Sequence, residues 1–261
     1  MGPISPKSWS GWTFSFLSLQ LLASLNYCFC HTNKTHHQWL EAQATWYGPP
    51  TGAGTTGGAC GYTDNVEKPP FHKLVAAGGD AFYKSGKGCG GCYKVKCKSH
   101  PDCSKRPVNI VITDHCPGTN QHFDLSGHAF GAMARPGKED LLRSAGKLTV
   151  KYRRHPCKFY GTPMTFHVDA GSNPYYLEVL VEFVEGDGTV CSVELRAANS
   201  NGTWVQMKPS WGALWQHSCS SPLCGPISFR ITTDETKRVV TVNDVLPEDW
   251  KPGQDYRATH H

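Results

Sequence analysis

The sequence predicts an all-β protein of two domains, and three observations carry that reading. Gly 27 and Pro 18 make up about a sixth of the 261 residues and aromatics 11%, a composition of short strands and many turns rather than of helix bundles. Regular apolar–polar alternation, the mark of half-buried antiparallel strands, dominates the C-terminal part of the chain. Twelve cysteines point to an oxidising compartment and away from a cytosolic helical enzyme. With 18% charged and 39% hydrophobic residues the chain is globular rather than disordered, and its length suits one large or two ordinary domains.

Residues 1–30 carry one charge, Lys7, and their apolar stretch is interrupted by Ser15, Ser18 and Gln20. That stretch falls short of the roughly 18 apolar residues that span a bilayer, so it reads as a secretory signal peptide, with Cys28 and Cys30 as small residues near a cleavage site. Its removal takes one Lys and two Cys and leaves a net charge of +4 and ten cysteines. The expected protein is secreted, and a membrane concerns it only as the secretory route. Residues 31–41 are a polar N-terminal extension. Asn33-Lys34-Thr35 and Asn201-Gly202-Thr203 are glycosylation sequons.

Residues 42–160 form the first domain, Gly-rich and holding seven of the ten remaining cysteines. Short apolar strands are expected at 108–113 and 148–152, and one helix at 138–145, behind Pro136-Gly137. Gly161 and Pro163 make 161–164 a linker. In the second domain, 165–261, Leu177, Val179, Val181 and Phe183 share one face of a strand and Glu178 and Glu182 the other. Segments 190–196, 204–207, 227–232 and 238–242 read likewise, with turns at Asp187-Gly188 and Asn201-Gly202. So many short strands make a β-sandwich.

Cys89-Gly90-Gly91-Cys92 suits redox chemistry, a zinc knuckle or disulfides; in a secreted chain with Cys97 and Cys103 nearby, disulfides are favoured. His100 and His115 lack a zinc-ligand spacing, so no metal or other cofactor is expected. The strongest polar constellation is Thr113-Asp114 with His122-Phe123-Asp124. Two carboxyls around one cleft are what glycosidic cleavage needs, one as acid and one as base. An Asp at a strand end equally caps a turn, and spacing alone leaves both readings open.

The same residues belong to a longer pattern. Thr45-Trp46-Tyr47-Gly48, Gly58-Ala59-Cys60-Gly61-Tyr62, Gly88-Cys89-Gly90-Gly91-Cys92-Tyr93, His122-Phe123-Asp124-Leu125-Ser126-Gly127 and Ala129-Phe130-Gly131 resemble, in order, the first domain of plant β-expansins. Asn173-Pro174-Tyr175-Tyr176 and Ser210-Trp211-Gly212-Ala213-Leu214-Trp215 resemble the second, and the likeness runs from about Ala42 to Tyr256. The group-1 grass pollen allergens belong to the same family.

The resemblance implies a six-stranded double-psi β-barrel, similar to family-45 glycoside hydrolases, followed by an immunoglobulin-like sandwich that binds polysaccharide. It makes Asp124 the counterpart of the hydrolase general acid. The hydrolase base lies just beyond the Thr-x-Tyr matched by Thr45 and Tyr47, where Gly48 and Pro49 stand here, and no Asp or Glu occurs between Glu41 and Asp64. The implied protein is therefore no enzyme. It grips a glycan in a groove of Thr45, Tyr47, Asp114, His122 and Asp124, with Tyr175, Tyr176 and Trp211 as an aromatic platform and Trp204 and Trp215 in the core.

Implied disulfides are Cys60–Cys89, Cys92–Cys157 and Cys97–Cys103. Cys219 and Cys224 are expected to bridge locally, and Cys116 and Cys191 are left over. The loop 117–121 is shorter than in many relatives. The implied function is non-hydrolytic loosening of plant cell walls by a monomer that disrupts contacts between polysaccharides such as glucuronoarabinoxylan and cellulose. Rival readings are a family-45-like hydrolase and a wall-binding defence protein without loosening activity. Lys84, Lys87, Lys94, Lys96, Lys98, Lys105 and Arg106, then Lys151, Arg153, Arg154 and Lys158, form basic runs that suit acidic xylan or pectin; nucleic acid is not an expected partner of a secreted protein.

Overall fold

The computed structural model describes residues 1–2 and 38–259. The expected signal peptide, most of the N-terminal extension and the Asn33 sequon lie outside the described residues. Six strands of the first domain, β1 (Leu40–Tyr47), β2 (Val75–Gly78), β3 (Cys92–Cys97), β4 (Val108–His115), β5 (His122–Ser126) and β6 (Leu148–Arg154), close into a barrel in the order β1-β5-β2-β4-β3-β6. The pairs β1–β5 and β2–β4 are parallel and the others antiparallel.

Period-two alternation decides what each strand buries. On β5, Phe123 and Leu125 are fully buried while His122 and Asp124, which alternate with them, are half-exposed. The aromatic part of the core centres on Phe123, stacked on Phe82 at 4.1 Å, with Tyr152 edge-on to both. Helix α1 (Asp80–Tyr83) follows β2, and α2 (Gly127–Ala132) begins at Ser126, whose Oγ accepts from the Ala129 N–H at 3.0 Å as an N-cap. Helix α3 (Glu139–Ser144) falls within the expected span, its first turn carrying Glu139 and Asp140, where negative charge favours the helix dipole.

Nine further strands build the sandwich: β7 (Thr165–Val168), β8 (Tyr176–Glu182), β9 (Val190–Ala197), β10 (Val205–Gln206), β11 (Lys208–Pro209), β12 (Leu214–Ser218), β13 (Ile227–Thr233), β14 (Val239–Leu246) and β15 (Asp255–Arg257). One sheet is β10-β9-β13-β14, the other β11-β12-β8-β7-β15. Phe166 on β7 stacks on Phe229 of β13 at 4.6 Å, so the core lies between the sheets.

Three expectations need correction. The polar face of β8 is not solvated: Glu178 is 8% exposed and Glu182 fully buried. That face packs against the barrel, whose core takes in Leu180 and Leu214, and the Asn65 amide donates to both Glu182 carboxylate oxygens at 3.0 and 3.2 Å. Phe183 leaves the apolar row because its φ of +56° turns the chain, and its ring packs on Phe71 and Phe159 of the first domain. Trp215 is core as expected, but Trp204 is half-buried between the Arg196 and Arg230 guanidinium groups, 4.7 and 4.8 Å from its ring centroid. Two guanidinium groups within cation–π distance give the ring favourable partners without core burial.

Disulfides join Cys60–Cys89, Cys92–Cys157 and Cys97–Cys103. The expected Cys219–Cys224 bridge is not formed: with Cys116 these are free thiols among the described residues. Their backbones are held by different neighbours, Cys219 N–H by the Tyr175 carbonyl at 3.0 Å and the Cys224 carbonyl by Ala198 N–H at 3.0 Å. Cys191, without an assigned partner in the sequence reading, is disulfide-bonded.

Burial pushes the Glu182 carboxyl up to about 7, with the charges of Asp255 and Asp64 adding to the rise against the lowering effect of the Asn65 hydrogen bond. A raised folded-state pKa means that the native state holds the proton more tightly than the unfolded chain, so this contribution is complete below about 4.5 and is lost as pH rises through 7. Between pH 5 and 8 thermal unfolding should move down by several degrees, on the order of 5–10 °C, and Glu182→Gln should flatten that slope; calorimetric scans across the range measure both.

Candidate functional site

Strand register assembles the groove. Asp124 on β5 is the direct partner of Thr45 on β1 and, on its other side, of Ala77 on β2; Ala77 is in turn the partner of Asp114 on β4. One row of residues thus crosses four adjacent strands, Thr45, Asp124, Ala77, Asp114. Strands lie about 4.8 Å apart, so the two acids have Cα atoms roughly 10 Å apart across the single methyl of Ala77. Sequence reasoning missed Ala77, because a small residue in a four-residue buried strand gives no polar signal.

The hydrogen bonds within this row are directional. Thr45 Oγ1 donates to Asp124 Oδ1 at 2.5 Å and lies 2.8 Å from His122 Nε2. Its single proton is committed to Asp124, so the His122 ring must donate, which sets the Nε2–H tautomer. Burial holds the His122 pKa below its usual value, the Asp124 charge counters this in part, and Lys147 pushes further down. Asp114 Oδ1 accepts from Ala59 N–H at 2.7 Å and His115 N–H at 2.8 Å, and Oδ2 accepts from the Tyr47 hydroxyl at 3.3 Å. Burial first, then the Asp114 and Asp124 charges, raise the Tyr47 pKa well above the phenol range, so the hydroxyl stays a donor.

Cys116 sits at the same end of β4. Burial raises its pKa and the Asp124 and Asp114 charges act in the same direction, so it is a protonated thiol and a weak nucleophile. Among the described residues, no group of three or more His, Cys, Asp or Glu is disposed to hold a metal ion.

The aromatic residues lie on the second domain. Tyr175 and Trp211 are 54% and 52% exposed; Tyr176 is half-buried and donates its hydroxyl to Glu178 Oε2 at 3.0 Å. Tyr176 pairs with Ser218 on β12 and Leu180 with Leu214, so roughly 13 Å of strand separates Tyr176 from the Trp211 turn. Tyr176 and the Trp211 turn therefore lie at opposite ends of the β8–β12 pairing. Trp211 instead meets the barrel: a Cβ on Gly61 would lie 3.2 Å from its ring and 2.5 Å from Leu214. Gly58, Ala59, Cys60 and Gly61 connect Asp114 to Trp211. Two half-buried residues that sequence reasoning did not place at the groove also meet this loop: the Tyr83 hydroxyl donates to the Ala59 carbonyl at 3.3 Å, and its ring stacks on His115, weighed from sequence only as a zinc ligand, at 4.2 Å. Asn201 is exposed in a turn with φ of +50°.

The expansin C-terminal domain model matches residues 164–247, and a model described as lytic transglycolase matches residues 75–152. The chain is 46% identical to the putative expansin-B2 of Arabidopsis thaliana over 248 residues, 91% of each chain. The chain belongs to the expansin-B family. Expansin-B10 of Oryza sativa subsp. japonica is 50% identical over 226 residues, covering 85% of this chain and 84% of the relative. The pollen allergen Phl p 1 of Phleum pratense is 47% identical over 226 residues, 85% of each chain. The crystal structure of apo-expansin from Clavibacter michiganensis superposes with a TM-score of 0.64 at 23% identity, covering 84% of this chain and 96% of that one, which establishes the shared two-domain fold. A mutant of that bacterial expansin, solved in complex with cellohexaose, superposes with a TM-score of 0.63 at 22% identity over 85% and 97% of the chains.

In this expansin the groove network makes a spectroscopic prediction. His122 should titrate below the usual 6.5 by NMR, and Asp124→Asn, which removes the one charge that raises it, should lower the midpoint further. An upward shift would show that Asp124 does not face the ring.

Proposed function

We propose that this expansin loosens plant cell walls without hydrolysing them, as a secreted monomer that grips one polysaccharide in the barrel groove and holds it on the aromatic surface of the second domain. The observation that carries this reading is Gly48. The family resemblance puts the hydrolase base just after Tyr47, yet Gly48 has φ of +74° and a Cβ there would lie 2.3 Å from the Gly54 carbonyl oxygen. No carboxylate side chain fits that backbone. Asp114 accepts from Ala59 and His115 at one oxygen and from Tyr47 at the other, which leaves a lone pair on Oδ2 for a sugar hydroxyl.

What remains is a set of exchangeable hydrogen-bonding groups. A sugar hydroxyl that leaves a neighbouring glycan for Asp124 or Asp114 trades one hydrogen bond for another, each worth about 1 kcal/mol net, so many small exchanges release a chain without bond cleavage. Trp211 and Tyr175 offer flat apolar faces to the C–H faces of sugar rings. Cellulose and glucuronoarabinoxylan are the proposed ligands, with pectin as an acidic one. The cellohexaose bound to the bacterial expansin supports a β-glucan as one of them.

Asp124→Asn should abolish extension of heat-killed walls under load while neither protein releases reducing sugar from xylan or cellulose; sugar release by the unmodified chain would return the hydrolase reading. Binding without any extension would favour the defence-protein reading. Trp211→Ala should lower retention on insoluble wall polysaccharide several-fold with the melting temperature unchanged, and full retention would remove Trp211 from the platform.

A further inference from the structure

The groove uses β1, β5, β2 and β4; the remaining barrel strands, β3 and β6, carry a different surface. Lys94 and Lys96 on β3 alternate with the buried Tyr93, Val95 and Cys97, and Lys151 and Arg153 on β6 alternate with Val150 and Tyr152, so all four cations face outward. Register sets Lys94 directly opposite Arg153 and Lys96 directly opposite Lys151. Like charges facing each other across a ladder repel and cost stability. Among the described residues the only ion pair of this block is Lys151 with Glu41 at 3.9 Å. Arg153 Nε is buried with no hydrogen-bond partner, and the Lys96 ammonium and the Arg153 guanidinium lie 4.1 and 5.0 Å from the Trp39 ring centroid. The strip continues to His155, whose pKa burial lowers and the Lys94, Arg153 and Lys158 charges lower further.

We propose that the outer face of β3 and β6 is a second docking surface, separate from the groove, for a polysaccharide that carries a carboxylate on each sugar, a polyuronate. The cations repeat about 4.8 Å across the ladder and about 6.7 Å along it, so a single small anion meets one or two of them while an extended polyanion meets all four. A bound carboxylate row relieves the repulsion that Glu41 and the Trp39 ring offset only in part and adds acceptors for the outward-facing cations. The proposal rests on the reading that wall polysaccharide is this protein's ligand and names the chemical class that one face selects.

The test uses the full chain on immobilised polygalacturonate, on the same polymer fully methyl-esterified, and on cellulose, at low salt and at 0.15 M, where exposed charges are screened beyond about 8 Å. The unmodified protein should be retained about tenfold more strongly by the free acid than by the ester, with the difference shrinking as salt rises. Lys94→Gln with Lys151→Gln, and separately Lys96→Gln with Arg153→Gln, should each lose about tenfold on polygalacturonate and keep their retention on cellulose. Equal binding of acid and ester, unchanged binding by both double variants, or a parallel loss on cellulose overturns the proposal; so does displacement by duplex DNA at the same charge concentration, which would make the face a general polyanion surface. Failure of the Asp124→Asn extension test leaves these outcomes untouched, and these leave that one untouched.

Discussion

Four consecutive residues, Gly58 to Gly61, hold the two halves of the molecule in register. Ala59 gives its N–H to Asp114, Cys60 is tied to Cys89, the Cys60 carbonyl accepts from Ala213 N–H at 3.1 Å, and Gly61 leaves room for Leu214 and Trp211. A bond to the groove, a covalent anchor and two contacts with the second domain therefore fall within one short segment. A side chain at Gly61 would push on Leu214, and Leu214 is part of the barrel's own core. The orientation of the aromatic surface relative to the carboxylates is thus a packing property of the core and not of the connecting segment.

The same economy governs the two acids that share one row of the barrel. Thr45, Tyr47, Ala59 and His115 spend their donors on Asp124 and Asp114, so both acids are fixed in place by the protein's own groups. Fixed acceptors cost little reorganisation when a hydroxyl arrives.

Much of this was legible in the sequence because it depends on local period and on residue type. Leu148 to Arg154 and Val190 to Ala197 show their alternation directly, and the groove acids stand out as polar residues at the ends of apolar runs. Val75 to Gly78 was invisible: four small residues buried on both sides have no period. The barrel-facing side of β8 was misread because Glu178 and Glu182 look solvated until a second domain covers them, and burial between domains leaves no mark on alternation. Phe183 was misplaced by a positive φ that a bulky residue rarely adopts. Cysteine spacing was misleading at Cys219 and Cys224, where short separation counts for less than the hydrogen bonds that hold each backbone to a different turn.

Cys157 is bonded to Cys92 on β3 and also exchanges two backbone hydrogen bonds with Gly186 of the second domain, at 2.7 and 3.1 Å. In mechanical terms this is a load path. Tension drawing the sandwich away from the barrel reaches a covalent cross-link into a barrel strand through a pair of parallel, strand-like bonds that must break together. The segment between the domains is bypassed. If both domains hold polymer as proposed, a pull on it is carried across this joint and not by the linking segment.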